Sequence, residues 1–329
     1  MSLKNVSLKQ IASELNISIN TVSHALRDMD DVSDETKAKV RKKAIELGYM
    51  PNHVAQKMHK DEKPLTAILI DSLTNLYFNT FINEFIKLLC KKSEYDFMLL
   101  YASELNKDTI KQCVLQRADL LITHMPLKKE VYEFAKLNNI GILFVGSSIK
   151  EDVVDNVTVD NFKGCILAAH RLKSINDGNK YLYVGIDYFL SAHRYSIFKT
   201  ELEEVAGEKD VCIFNYNKED ISVLYKYIDD GFRKIFFYND MLAYEVMAKL
   251  DKISGKGGIR KIYPDIHIVG FDGLSGYVFG FEDIDSVKIN FSELAEATFN
   301  VMKNRFEKPD SKIQRMVLPV SLHLKNETK

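Results

Sequence analysis

The chain has 329 residues, 46% of them hydrophobic and 28% charged, with a formal net charge of −1. That composition is that of a soluble globular protein, and the length fits two or three domains rather than one. No apolar run approaches the ~18 residues a membrane helix needs, and Met-Ser-Leu-Lys-Asn-Val-Ser at the N-terminus has no apolar signal core, so no membrane contact and a cytoplasmic location are expected.

The small net charge hides an asymmetry. Residues 1–60 carry 10 Lys/Arg against 7 Asp/Glu, and the remainder 35 against 39. A basic end on an acidic body points mildly to nucleic acid. Cys90, Cys113, Cys165 and Cys212 are isolated, with no CxxC pair. Neither a zinc ribbon nor a redox dithiol is indicated, and their apolar neighbours suggest buried thiols.

In chain order, Ser7-Leu8-Lys9-Gln10 has capping-box form, followed by Leu8, Ile11, Ala12 and Leu15 at helical spacing. After a break at Asn16-Ile17, Ser18 caps a second helix from Ile19 to Leu26, with Val22 and either Ala25 or Leu26 inward. Ser33 caps a third from Asp34 to Leu47, with Val40, Ala44 and Leu47 inward and Gly48 as its stop. Two short helices around a tight turn, followed by a third, make a helix-turn-helix. The outer face of the second helix carries Asn20, Thr21, Ser23 and His24. An amide there can read adenine, and hydroxyls can reach phosphate; a three-helix bundle with a merely polar face fits the same spacing.

The order and spacing of Thr21-Val22-Ser23 and Leu47-Gly48-Tyr49-Met50-Pro51-Asn52 resemble the headpiece of the lactose-repressor (LacI/GalR) family. The resemblance implies that the second helix enters the major groove of double-stranded operator DNA. Ile19, Asn20 and His24 would read bases, and Ser7, Ser18, Thr21, Ser23, Ser33, Thr36 and Tyr49 would contact the DNA backbone. His24 stands where the family usually has Arg, and histidine cannot make the paired guanine contact of Arg. Arg27-Asp28 also departs from the family's usual loop.

Residues 51–61 read as a proline stop, an Asn cap and two turns of helix, too short to hold alone in water. The resemblance implies a hinge that pairs with its partner's in the minor groove, with Asn52, Ala55 and Met58 facing DNA. Met58 occupies the position of an apolar wedge that kinks the duplex. The expected organisation is a headpiece over 1–50, a hinge over 51–61 and a two-lobed body over 62–329.

The body alternates short apolar runs with helical stretches. Strands are expected near 65–70, 96–101, 119–123, 140–145, 180–186, 210–214, 233–238 and 266–271. Helices fall near 79–92, 107–116, 128–138, 161–175, 193–205, 218–229 and 241–253. Two such series give an α/β fold of two doubly wound, periplasmic-binding-protein-like lobes, with ligands beyond the carboxyl ends of the strands. By the resemblance, lobe 1 takes about 62–160 and 290–317, and lobe 2 about 162–288 and 319–329. The chain then crosses near 160, 289 and 318, and Leu318–Leu322 is the closing strand.

The same resemblance implies the ligand residues. Tyr77 and Phe78 would floor the cleft, or pack between lobes. Arg194 would face ligand, or pair with a structural carboxylate. Asn239 and Asp272 would offer polar groups, unless Asp272 caps its own turn. With no Trp in the chain, Phe214 or Tyr216 would stack on a sugar. His193 beside Arg194 is read as solvent-exposed. Gly146, Gly273 and Ile197 depart from residues usual at those places. The leading effector is a sugar or sugar phosphate.

Gly255-Lys256-Gly257-Gly258 lacks the P-loop pattern, and no nucleophile elbow, His/Cys cluster or cofactor fingerprint is present. The reading is therefore a homodimeric repressor without catalytic residues, metal or cofactor, bound to a pseudo-palindromic operator. The rivals are a solute-binding protein, a sugar-processing enzyme of similar lobed fold, and a regulator that binds DNA more tightly with a corepressor.

Overall fold

The computed structural model describes residues 8–26, 29–47, 63–146, 153–203, 206–255, 258–277 and 284–325. The chain divides into two compact units, Met1–Glu62 and Lys63–Lys329. The hinge segment 51–61 lies outside the described residues.

The first unit holds α1 (Leu8–Leu15), α2 (Ile19–Leu26) and α3 (Asp34–Leu47). Asn16 turns the chain between α1 and α2 in the left-handed region, at φ 53°, which a short polar side chain tolerates. The Ile17 N–H then donates to the Ala12 carbonyl at 3.0 Å. Ser18 accepts the Thr21 N–H at 3.0 Å and Ser33 accepts that of Thr36 at 3.4 Å, so both serines satisfy amides that a helix start leaves open. Ile11, Ala12, Val22, Ala25, Val40 and Ala44 form the core, with Leu8, Leu15, Leu26 and Leu47 around it. Of the two expected alternatives, Ala25 is fully buried and Leu26 lies at the margin.

The second unit contains two six-stranded sheets. The first is built from β1 (Leu65–Ile70), β2 (Asp96–Tyr101), β3 (Leu120–Thr123), β4 (Gly141–Val145), β5 (Asp155–Val159) and β11 (Arg315–Leu318). The second holds β6 (Lys180–Gly185), β7 (Val211–Asn215), β8 (Phe232–Phe237), β9 (His267–Asp272), β10 (Asp285–Lys288) and β12 (Ser321–His323). Their orders are β11-β5-β4-β3-β1-β2 and β12-β10-β9-β8-β6-β7. Every pairing is parallel except β10 with β12. Parallel strands are buried on both faces, and Ala67, Ile68 and Leu69 of β1 are all inaccessible.

The helices are α4 (Leu76–Lys92), α5 (Lys107–Leu115), α6 (Lys129–Leu137), α7 (Asn161–Lys173), α8 (Phe189–Leu202), α9 (Ile221–Asp229), α10 (Asp240–Ser254), α11 (Ile259–Ile262) and α12 (Phe291–Glu307). The strands and helices read from the sequence are present, with shifted ends. Helix α8 starts at Phe189 rather than 193, and α4 at Leu76 rather than 79. Among the described elements, β5, β10, α11 and α12 went unread. The expected closing strand Leu318–Leu322 is two strands in different sheets, split at Pro319, which has no N–H to donate to a ladder.

The chain passes between sheets after β5, after β10 and after β11. A buried and a half-buried carboxylate tie down these returns. Asp155 accepts two Arg305 donors at 2.8 Å each and the Gln314 N–H at 2.8 Å, clamping α12 and the start of β11 to β5. Asp285 accepts Arg171 Nε at 2.6 Å and the Lys325 N–H at 2.7 Å, which does the same for β12. Paired in this way, the charges meet the condition for burial.

Two expectations are corrected here. Phe78 does not floor a cleft. It lies within the first turn of α4, fully buried beside Phe81 at 5.6 Å and His124 at 4.0 Å between ring centres. The cysteines are not uniformly buried either. Cys113 and Cys165 are, Cys212 is half-buried and Cys90 is exposed.

Candidate functional site

The carboxyl ends of both sheets open onto one cavity of about 660 Å³, within the range usual for small-molecule sites. Asp71 follows β1, Ser103 and Glu104 follow β2, His124 follows β3 and Gly146 follows β4. From the second sheet come Ile186, Tyr238, Asn239 and Asp272, joined by Arg194 from α8. Strand ends in such sheets place side chains where the diverging connections leave room for a ligand.

Asp272 ends β9 at φ 113° and Gly273 follows at φ 72°. A non-glycine residue in that region is strained, and strain of this kind collects at functional sites. The turn is not capped by Asp272. Asp240 caps it, accepting the Leu274 N–H at 2.7 Å and the Ser286 hydroxyl at 2.7 Å, while Ser286 accepts the Gly273 N–H at 3.1 Å. The Asp272 backbone carbonyl accepts the Ile289 N–H at 3.3 Å, and among the described residues no hydrogen bond reaches its carboxyl group. Burial pushes its carboxyl well above the ordinary range, against the pull of Arg194.

Arg194 is 4% exposed. Its Nε and Nη2 donate to the Asn161 side-chain oxygen at 3.0 and 2.7 Å, and Nη1 donates to the Tyr238 carbonyl. The guanidinium lies 3.5 Å from the Phe271 ring centre and 5.0 Å from that of Tyr238. Arg194 is thus held by an amide, a carbonyl and two ring faces, not by a structural carboxylate. Asn239 caps α10 through the Leu242 N–H at 2.9 Å and lines the cavity. Tyr77 rests edge-on against Phe291 at 5.5 Å and also lines it; burial raises its hydroxyl.

The first lobe contributes a pair that the sequence reading passed over. His124 Nε2 lies 3.2 Å from Asp71 Oδ2. Asp71 Oδ1 and His124 Nδ1 are buried with no hydrogen-bond partner. Burial lowers the His124 pKa despite the neighbouring carboxylate, which favours the neutral ring. No local motif links residues 71 and 124; only the adjacency of β1 and β3 brings them together.

Tyr216 is corrected. It bonds Glu245 at 2.5 Å and also Lys249, and it does not line the cavity. Phe214 is buried in the core behind it. The second-lobe rings at the cavity are Tyr188 and Tyr238. His193 is exposed and stacks on Phe189. Among the three departures, Gly146 lines the cavity at φ 140°. Gly273 has no room for a side chain, since an added Cβ would meet Lys288 Cα at 2.9 Å. Ile197 is a core residue.

In the headpiece, Asn20, Thr21, His24, Ser33 and Thr36 line one shallow concavity with Asp31 and Val32. Ile19 is 45% exposed beside it. Ser23 is half-buried and does not line it. The Ser18 and Thr21 hydroxyls lie 2.8 Å apart, and those of Ser33 and Thr36 2.9 Å. His24 Nδ1 meets Asp31 Oδ2 at 2.6 Å. Ser7, Tyr49, Asn52, Ala55 and Met58 lie outside the described residues.

No described helix is long and apolar enough to cross a membrane, and no described group of His, Cys, Asp and Glu suits a metal ion. Residues 7–52 match the family described as "Bacterial regulatory proteins, lacI family". The transcriptional regulator RegA of Clostridium saccharobutylicum is 28% identical over 164 residues, 48% of each chain. The match thus spans about half of that relative. The sucrose operon repressor of Lactococcus lactis subsp. lactis is 22% identical across 97% of this chain and 98% of its own. A lac repressor dimer, solved bound to operator and the anti-inducer ONPF, superposes with a TM-score of 0.74 at 18% identity. It covers 97% of this chain and 98% of its own.

Proposed function

We propose that this chain, whose residues 7–52 match the lacI family of bacterial regulatory proteins, is a homodimeric cytoplasmic repressor, not an enzyme. It binds a pseudo-palindromic operator through α2 and releases or tightens on it when a neutral sugar fills the cavity between the sheets. Two-fold symmetry follows from a paired half-site, since one headpiece reads one half. The segment 51–61, with Asn52, Ala55 and Met58, connects the two units in sequence and carries the response between them. Ser7 and Tyr49 act with Ser18, Ser23, Ser33 and Thr36 on the DNA backbone.

The observation that carries the ligand reading is Asp272, a buried carboxyl group on a strained backbone with no protein partner, facing the cavity beside a guanidinium. A group so placed gains its hydrogen bonds from a ligand. Hydroxyls suit it, because each both donates and accepts. Tyr77, Tyr188 and Tyr238 supply the apolar ring faces that a sugar needs. A sugar is favoured over a sugar phosphate for two reasons. Three Arg194 nitrogens are already engaged by protein oxygens, and the Asp71 and Glu104 carboxylates line the same space.

Isothermal titration of the full chain with a panel of neutral mono- and disaccharides and their phosphates tests this. One neutral sugar is expected to bind, and D272N to weaken it about tenfold or more, the scale of a lost bond to a charged or buried group. Tight binding of phosphates alone would contradict the assignment.

A further inference from the structure

Helix α2 ends in a close side-chain pair. His24 lies in its last turn, and Asp31 comes from the segment that leads into α3. The Nδ1–Oδ2 distance is 2.6 Å, with the side chains 34% and 58% exposed. Both residues line the concavity shared by Asn20, Thr21, Ser33 and Thr36. An exposed carboxylate on a surface that meets phosphates is repelled by them. Its contact with a base-reading side chain gives it a role that offsets that cost.

The chemistry is restrictive. An ionised carboxylate only accepts hydrogen bonds, so the imidazole nitrogen facing it must carry the proton. A neutral ring has one N–H. With Nδ1 protonated, Nε2 is bare and can only accept. In the major groove the amino groups of adenine N6 and cytosine N4 donate, while guanine O6 and N7 and thymine O4 accept. A bare Nε2 therefore selects a base bearing an amino group, the opposite of the guanine that arginine selects.

We propose that Asp31 is a specificity-determining positioning residue: by holding the Nδ1–H of His24 it presents Nε2 as an acceptor, so that the contacted base is adenine or cytosine. This rests on the reading that α2 enters the major groove. The pairing makes a one-atom reader from a side chain that otherwise exchanges between two tautomers. It also locates a determinant of operator choice outside the recognition helix, at a residue with no base contact of its own.

The test is site selection by the full chain on randomised duplexes at pH 8. The pair contacted by His24 is the one whose preference vanishes in H24A. H24R supplies the strand reference, because its selected guanine marks the strand that faces the side chain. Wild type is expected to select adenine or cytosine there. An analogue lacking only the amino group (purine for adenine, 2-pyrimidinone for cytosine) should weaken binding ~2- to 10-fold, as for one lost hydrogen bond. Deletion of purine N7 in a selected adenine should leave affinity unchanged. D31A should keep the fold and relax the choice at that pair, so that amino- and keto-bearing bases bind within about twofold. Selection of guanine by wild type, or an unchanged preference in D31A, would overturn the proposal while leaving the DNA reading intact. Absence of any selected site from folded protein would instead remove the reading on which it rests.

Discussion

Asp240 accepts the Ser286 hydroxyl at 2.7 Å, and this bond joins the start of α10 to β10 beneath the turn that carries Asp272. The second Asp240 oxygen takes the Leu274 N–H. One aspartate therefore builds the turn, and the other, Asp272, lines the cavity. Burial raises Asp240 to about 6, against the lowering effect of the Ser286, Leu274 and Gly273 donors.

A sign follows for stability. The folded-state pKa lies above the unfolded value of 3.8, so the folded protein binds the proton more tightly. The resulting stabilisation is complete below about pH 4 and is lost as pH rises through about 6. D240N cannot titrate there. Between pH 4 and pH 7.5 its stability relative to wild type should improve by roughly 2–3 kcal/mol, measured by urea unfolding at each pH. A pH-independent difference would show that Asp240 has an ordinary pKa in the folded protein.

Tyr77 and Phe78 are neighbours in sequence with opposite environments. F78A should cost about 3–5 kcal/mol of stability, as for a buried ring replaced by a cavity. Y77F should change stability by less than about 1 kcal/mol and weaken the selected sugar several-fold. Thermal melts and titration of both variants separate the two roles.

The Asp71–His124 pair should matter to ligand and not to DNA. H124Q is expected to weaken sugar binding about tenfold and to leave ligand-free operator affinity within about twofold. An equal loss of ligand affinity and thermal stability would make the pair a purely structural one.

Thiol chemistry checks the packing. Burial pushes Cys113 up to about 11 and Cys165 up to about 12, and the thiolate is the reactive form. An aromatic disulfide reagent at pH 8 should titrate Cys90 rapidly, Cys212 slowly, and Cys113 and Cys165 only after unfolding. Early reaction at Cys165 would mean that α7 is not packed as described.

Most of the fold was legible because parallel strands are continuous apolar runs and amphipathic helices keep their period. The bounds of α2 and α3 agree with the sequence reading to the residue. What escaped reading depends on long-range pairing. Strand β5 is short and half-polar, and it is defined by pairing with β4 and β11 and by the Asp155–Arg305 clamp. Helix α12 is buried at Phe291, Leu294, Ala295 and Thr298, yet the reading passed from one closing block to the next without assigning it. In the site, Asp272, Arg194, Asn239 and Tyr77 reach the cavity. Phe78 and Tyr216 do not, because a helix start and a surface ion pair decide where they go. The Asp71–His124 and Asp240–Ser286 pairs join residues 53 and 46 positions apart, which no local spacing reveals.

The most direct test of the central claim is fluorescence-anisotropy selection on randomised duplexes, repeated with and without the sugar panel. The account predicts one pseudo-palindromic site whose affinity changes at least tenfold with a single neutral sugar, and a D272N variant that still binds the site but no longer responds. Folded protein that selects no site at moderate salt, or a site whose affinity no sugar changes, would contradict it.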